Sequence, residues 1–193
     1  LVDVDTTALG SPRAVRESIV AALLEHMRRW ADPEIAAIPR AVIERMFADD
    51  GPREIAAVLP ELEDSLVVRH RSTLEGNDEY VQLVSAAVLR HEGKVLLLRR
   101  ATLHDEKRTK FGRDLLWKGC HVPASPTPAV GLLGTAAEAI KARIKEDLHL
   151  ARFESDPIPR FVVWNRHPEE AHHLGIFFDV DVAAPEVARS LAE

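Results

Sequence analysis

Two acidic side chains lie next to each other near the end of one predicted helix. Glu146 and Asp147 fall in the segment TAAEAIKARIKEDLHL, residues 135–150. Carboxylates are the ligands that hard divalent cations prefer, and such an ion can in turn hold phosphate oxygens. The loop before the helix begins at Trp117 with WKGCHV and adds a glycine and a histidine. The stretch 117–150 is therefore a candidate metal and phosphate site.

The sequence predicts where this helix begins and which of its faces is apolar. Thr135 and Glu138 have the spacing of a capping box, in which each side chain accepts from a backbone N–H of the first turn. Ala136, Ile140 and Ile144 then recur at a spacing of four, which places them on one face. Before Thr135, repeated Gly and Pro residues predict that no regular element forms over 117–134.

Helical spacing also dominates the first third of the chain. Ser11-Pro12 is a helix start, and apolar residues recur through 11–30. Asp32-Pro33 begins a second helix that reaches Met46 with a kink or break at Pro39, and a third short helix follows Gly51-Pro52 and ends before Pro60. We interpret residues 1–64 as a helical annex that packs on the next domain or binds a partner, for example as a homodimer.

From Ser65 the pattern changes to β-branched and alternating residues. SLVVRHRS and YVQLVSAAVL predict strands, and HEGK predicts a tight hairpin turn in which Gly93 takes a positive φ. VSAAVL and VLLL are apolar enough for central strands. Two further strands are predicted over 159–165 and 173–182. With the helix at 135–150 between the strand pairs, residues 65–193 predict an α/β sandwich with a mixed sheet.

Composition excludes several classes of function. The 193 residues carry a net charge of −6, with Lys and Arg scattered among Asp and Glu, which argues against an extended nucleic-acid surface. No apolar run approaches the length of a membrane span. A single cysteine, Cys120, cannot form an internal disulfide, and the N-terminus lacks a secretory signal pattern, so we expect a cytoplasmic protein.

The order of these signals resembles the Nudix hydrolase family, whose helix carries the run Arg-Glu-aliphatic-x-Glu-Glu-x-Gly-aliphatic. Residues 142–150 fall on that run, and Ile144, Glu146, Asp147 and Leu150 match or nearly match it. Gly119-Cys120-His121-Val122 is similar to the Gly-Gly-His-Val entry of many members. The later strand AHHLGIFFDV is similar in order and character to a strand found in a subgroup of Nudix phosphoesterases.

The departures from that run form a degenerate box. Ala142, Arg143 and His149 stand where the family has Arg, Glu and Gly. Arginine can neither bind a metal nor lose its proton at working pH, and Arg143 lies one turn from both acids and could pair with Asp147. The resemblance therefore implies reduced or absent turnover.

The resemblance implies an α/β/α sandwich, with the helical annex before it. It also implies a hydrolase that cleaves a nucleoside diphosphate derivative or a related diphosphate with Mg²⁺ or Mn²⁺. Glu146 and Asp147 would be catalytic and metal-binding, with Glu138 as a substitute ligand. The side chains that we expect to contact the ligand are Arg69, Arg99, Trp117, His121 and His173. The alternative is an inactive Nudix-fold module that binds a nucleotide-like ligand or a protein.

Several other clusters allow two interpretations. His167, His172 and His173 are either a zinc site or solvated loop histidines. Cys120 is either a nucleophile or a buried, inert side chain. Strand-borne arginines such as Arg69 and Arg99 either face a phosphate pocket or lie on the surface. The charged loop LHDEKRTKFGRD, residues 103–114, is either a surface loop or a substrate-facing lid.

Overall fold

The structure is a computed structural model, and it describes residues 19–20, 23, 32–49, 51–97, 117–124, 130–148, 153, 155–167 and 171–182. The side chains of Asp147 and Leu148 lie outside this description. The helix predicted over 11–30 is described only at three residues. Ile19, Val20 and Leu23 are helical and exposed there.

The described strands form one mixed sheet around a long central strand. In chain order the strands are β1 (Glu34–Pro39), β2 (Arg53–Glu54), β3 (Val67–His70), β4 (Tyr80–His91), β5 (Lys94–Val95), β6 (Lys118–His121), β7 (Ile158–Trp164) and β8 (His173–Asp181). Their order across the sheet is β2-β7-β8-β4-β1-β3, and β5 and β6 also pair with β4. β4 and β8 run parallel, while the other pairs run antiparallel. The predicted mixed α/β sheet is confirmed.

Four helices are described beside the sheet: α1 (Arg40–Met46), α2 (Ile55–Asp64), α3 (Arg71–Leu74) and α4 (Gly131–Leu148). The helix predicted from Pro33 to Met46 is wrong in its first half, because Glu34–Pro39 is a strand between β4 and β3. Pairing on both sides overrides the helical spacing of this apolar segment. α2 also continues through Pro60, where we predicted its end.

Part of the predicted helical annex belongs to the sheet. β1 shares the sheet with β4, and α1 and α2 place Ile43 and Leu62 in the same core as α4. Residues 34–64 are therefore not all helical and do not stand apart from the sheet. The domain boundary predicted at residue 64 stays a prediction, and so does the helical annex predicted before residue 32.

The predicted hairpin forms, but its second strand is short. Glu92 and Gly93 both have positive φ, 49° and 74°, as a two-residue turn with the twist of the strands requires. β5 contains only Lys94 and Val95, and both are exposed. The prediction that VLLL is a central covered strand is wrong in the described part, since β5 pairs only with β4.

The first face of the sheet carries the main core. Residues at a spacing of four along α4 are fully or nearly fully buried against it: Leu132, Ala136, Ile140 and Ile144. The buried Ser85 hydroxyl of β4 donates to the carbonyl of Ala136 at 2.8 Å. This bond fixes the start of α4 over the middle of β4.

The start of α4 differs from the predicted capping box. The helix begins at Gly131, so Thr135 lies inside it and its hydroxyl donates to the carbonyl of Gly131 at 2.9 Å. The Glu63 carboxylate of α2 instead accepts from the backbone N–H of Leu132 at 3.1 Å. The cap therefore comes from another helix, which local sequence cannot reveal. The loop prediction for 117–134 is also wrong over β6 and the first turn of α4.

A smaller cluster occupies the second face of the sheet near β1. Ile35, Ala37 and Leu74 are buried together, with Val67 and Tyr80 packed against them. α3 covers this part of the second face. None of the helices in the described part is long and apolar enough to cross a membrane.

We predict that Glu63→Ala loosens the start of α4. Loss of an N-terminal cap lowers the free energy of unfolding by about 0.5–2 kcal/mol. Glu61→Ala is the matched control on the same helix, because Glu61 pairs with Arg45 in an exposed ion pair worth about 0–1 kcal/mol. Urea unfolding midpoints measure both losses. A loss for Glu63→Ala no larger than that for Glu61→Ala would contradict the cap.

A clasp joins Asp32, two residues before β1, to α3. The Asp32 carboxylate accepts from the backbone N–H and from the hydroxyl of Ser72, each at 2.7 Å. These hydrogen bonds to Ser72, with smaller contributions from His70 and Arg71, lower the pKa of Asp32 below its usual 3.8. A lowered pKa in the folded state means that the ionised form stabilises the fold.

We therefore predict a pH-dependent effect of Asp32→Asn. The Asn oxygen cannot serve both Ser72 donors as a carboxylate does, so the variant unfolds at lower urea than the native protein at pH 7. The contribution of Asp32 is present above its unfolded pKa and is lost as pH falls through its folded pKa, so the difference shrinks towards pH 3. Asp64→Asn, at the exposed end of α2, is the control. A difference between Asp32→Asn and the native protein that is the same at both pH values would refute the clasp.

Candidate functional site

The second face of the sheet brings together two histidines from distant parts of the sequence. His121 of β6 pairs with Val84, and His173 of β8 pairs with Gln82, on opposite sides of β4. Paired residues share a face, so both imidazoles project from the second face. They lean towards each other across β4, with ring centroids 5.7 Å apart and ring planes tilted by 47°.

Three aromatic rings extend this cluster across four strands. The Phe177 ring of β8 stacks on Phe161 of β7 at 5.1 Å between centroids. Trp117, just before β6, meets Phe177 edge to face at 5.9 Å. We call Trp117, Phe161 and Phe177 the aromatic row. Trp117 is 44% exposed, so its indole lies at the surface of the row.

Two glycines make room for the aromatic row. A Cβ at Gly119 would lie 2.7 Å from the Trp117 ring, and a Cβ at Gly175 would lie 2.8 Å from the Phe177 ring. Both distances are below real Cβ contacts, so any side chain there displaces a ring. Gly119 and Gly175 are therefore needed for close packing on the second face.

Charged side chains lie beyond the aromatic row. The Asp179 carboxylate of β8 contacts Arg90 of β4 at 3.4 Å and Arg160 of β7 at 2.9 Å. Arg90 and Arg160 thus share one acidic partner. This triplet closes the second face towards the β4–β5 hairpin.

The predicted catalytic acids lie at the other end of α4. The Glu146 carboxylate pairs with the Arg143 guanidinium at 3.1 Å, and their side chains are 67% and 43% exposed. The Asp147 side chain lies outside the described residues, so the pair of Arg143 with Asp147 stays a prediction. Asp147 lies in the same last turns of the helix.

Glu138 belongs to a different ion-pair group. Lys141 contacts Glu138 and Asp156, each at 3.1 Å, and these hydrogen bonds raise the pKa of Lys141 above its usual 10.5. Glu138 and Glu146 are eight residues apart, so they are separated by about 12 Å along the helix axis. Glu138 and Glu146 therefore lie in different parts of α4, each beside a cation of its own.

The predicted residues do not form a single cluster. α4 packs on the first face, whereas Trp117, His121 and His173 lie on the second, so the sheet separates the acids from the imidazoles. Within the described residues, no group of three His, Cys, Asp or Glu side chains is placed to hold a metal. The metal roles of Glu146, Asp147 and Glu138 stay predictions.

The remaining candidates lie elsewhere. Cys120 pairs with Ser85 and packs partly buried against the core, on the opposite face from His121. Arg69 lies exposed on the edge strand β3 and donates to the Val68 carbonyl at 2.9 Å. The His172 imidazole is half-buried and lies 3.8 Å from the Asp78 carboxylate. Arg99 and the loop at 103–114 lie outside the described residues, so their ligand-binding roles stay predictions.

Comparison with known proteins places the fold. No protein-family model and no curated protein matches the chain. Among solved structures, the chain is similar to the crystal structure of Tm1382, described as a candidate Nudix hydrolase, with a TM-score of 0.59 and 17% identity. The match covers 77% of this chain and 76% of that one. At this identity the likeness shows a Nudix-like fold.

Sequence reasoning missed most of the second face. Phe161, Phe177 and Asp179 appeared only as members of predicted strands. A signal was present, because residues 173, 175, 177 and 179 alternate along β8 and therefore share one face. The register that aligns them with β4 and β7 was needed to see that they meet His121 and Trp117.

We predict that Gly175→Ala lowers the free energy of unfolding by about 1–3 kcal/mol, because the new methyl group collides with the Phe177 ring. Phe177→Leu removes that ring. In the double variant the Ala substitution should therefore cost less than it does alone, and a double-mutant cycle by urea unfolding measures the difference. Strictly additive losses would show that Gly175 and Phe177 do not interact in this way.

Proposed function

We propose that the protein is a divergent Nudix-type hydrolase that acts on a diphosphate-containing ligand, such as a nucleoside diphosphate derivative, and that Arg143 weakens its hold on a divalent cation. The observation that carries the proposal is the arrangement on α4. Glu146 and Asp147 lie on the last turns of a helix that is anchored to a mixed sheet through Ser85 and Ile144. The fold likeness to Tm1382 supports it.

A pair of carboxylates is a suitable set of ligands for a hard cation and would bind it with modest affinity. Mg²⁺ is commonly held by one or two carboxylates, with waters and substrate phosphates completing its shell. When bound, the ion would neutralise diphosphate oxygens. Glu146 is exposed enough to reach such an ion, and its ion pair with Arg143 is also exposed and so worth only about 0–1 kcal/mol. The pair therefore opens at little cost.

The charge of Arg143 has the larger effect. A unit charge about 4 Å from a divalent ion contributes about 2 kcal/mol in water, which weakens binding roughly 30-fold. Such a loss reduces metal affinity without abolishing it. We therefore expect turnover to require more Mg²⁺ or Mn²⁺ than a three-carboxylate helix would.

A second candidate function is an inactive Nudix-fold module that binds a nucleotide-like ligand or a protein. The observation that favours it is charge pairing along α4. Arg143 holds Glu146, and Lys141 holds Glu138, so both described acids of the helix already have cationic partners. Such a module would bind its ligand equally well with and without divalent metal.

We predict that Arg143→Glu increases metal-dependent hydrolysis and that Glu146→Gln decreases it. Replacing the cation by a carboxylate removes the repulsion and adds a ligand, so half-maximal rate should need at least roughly 30-fold less Mg²⁺. Product release from a panel of nucleoside diphosphate derivatives and other diphosphates, over a range of Mg²⁺ and Mn²⁺ concentrations, measures this. Arg45→Glu, which changes an exposed arginine of α1 by the same charge, is the control.

The two functions give different outcomes in this experiment. If neither the native protein nor Arg143→Glu forms product, or if Glu146→Gln leaves the rate unchanged, the hydrolase proposal is wrong. A thermal shift with nucleotides in EDTA that equals the shift with Mg²⁺ would then identify the binding module.

A further inference from the structure

The two imidazoles on the second face have the spacing of metal ligands. A zinc ion lies about 2.0–2.1 Å from an imidazole nitrogen, which places it roughly 3.2 Å from the ring centroid. Two imidazoles around one tetrahedral ion therefore have centroids about 5–6 Å apart. The centroids of His121 and His173 are 5.7 Å apart. The centroid distance thus falls within the range that a shared ion allows.

The backbone places both histidines on the same face of the sheet. β6 and β8 are both hydrogen-bonded to β4, on opposite sides, and the register places His121 beside Val84 and His173 beside Gln82. The rings therefore approach from two strands that the central strand holds at constant separation. A site on paired strands needs little rearrangement to bind an ion.

The donor chemistry selects the class of ion. Imidazole suits Zn²⁺, Cu²⁺ and Ni²⁺, whereas Mg²⁺ and Ca²⁺ prefer oxygen ligands. Cys120 is excluded as a third ligand because strand alternation turns it to the first face, where it packs against the core. Water or a bound ligand would complete the shell.

We propose that His121 and His173 together bind one borderline transition-metal ion, such as Zn²⁺, on the second face of the sheet. This site is separate from Glu146 and Asp147, which lie on the helix of the opposite face. It does not depend on the hydrolase proposal. With two protein ligands in place of the four of a structural zinc site, the dissociation constant is expected to be roughly 1–100 µM.

Titration calorimetry with Zn²⁺ on the full chain tests the proposal. We expect one ion per chain, and binding at least 10-fold weaker in His121→Gln and in His173→Gln. His70→Gln, which changes an exposed histidine on the edge strand β3, should bind Zn²⁺ as the native protein does.

Two results would overturn the proposal. One is native binding no tighter than that of the double variant His121→Gln/His173→Gln. The other is a stoichiometric site that is lost in Glu146→Gln and kept in the double variant, which would assign the ion to α4.

A measurement on the native protein covers the case in which a histidine variant fails to fold. Long-range ¹H–¹⁵N spectra of the imidazoles should show two of the nine histidines changing together as Zn²⁺ is added. A titration in which Zn²⁺ shifts the imidazole signals of no histidine, or of one histidine only, would also rule out the site.

Discussion

The rest of the structure depends on the pairing of β4 with its neighbours. This strand bonds to β8 along nine residues on one side, and to β1, β6 and β5 in turn on the other. Its apolar residues on the first face are buried beneath α4, and the aromatic row lies on the second face. The candidate functional side chains of the second face lie on strands that pair with β4, or directly beside such a strand. The register of these strands against β4 therefore decides which of the side chains can meet.

Packing on the two faces follows different rules. On the first face, residues of α4 at a spacing of four bury large aliphatic side chains, and a single hydroxyl of Ser85 fixes the helix in place. On the second face, Gly119 and Gly175 lack side chains so that rings can lie across the strands. The absence of side chains at Gly119 and Gly175 therefore shapes the second face as much as the rings do.

The charge pairs along α4 bear on both the hydrolase and the binding-module hypotheses. Arg143 and Lys141 each lie one turn from a glutamate and pair with it. These pairs are exposed and individually weak, so they stabilise the helix little. In the proposed hydrolase, the positive charge of Arg143 would weaken the binding of a divalent cation. The His121 and His173 pair lies on the other side of the sheet.

The sequence by itself determined the strand periods, the hairpin turn at Gly93, the buried stripe of α4 and the mixed α/β class, because these follow from local spacing and turn chemistry. It also placed His121, His173 and Trp117 among the residues of interest. Only the tertiary structure decided that Glu34–Pro39 is a strand, that Glu63 caps α4, that Arg143 pairs with Glu146 and that His121 meets His173. Three of these depend on contacts between residues distant in sequence, for which a local pattern carries no signal. The Arg143–Glu146 pair is local, but helical spacing allows Arg143 a partner at i+3 or at i+4, and only the structure shows the contact at i+3.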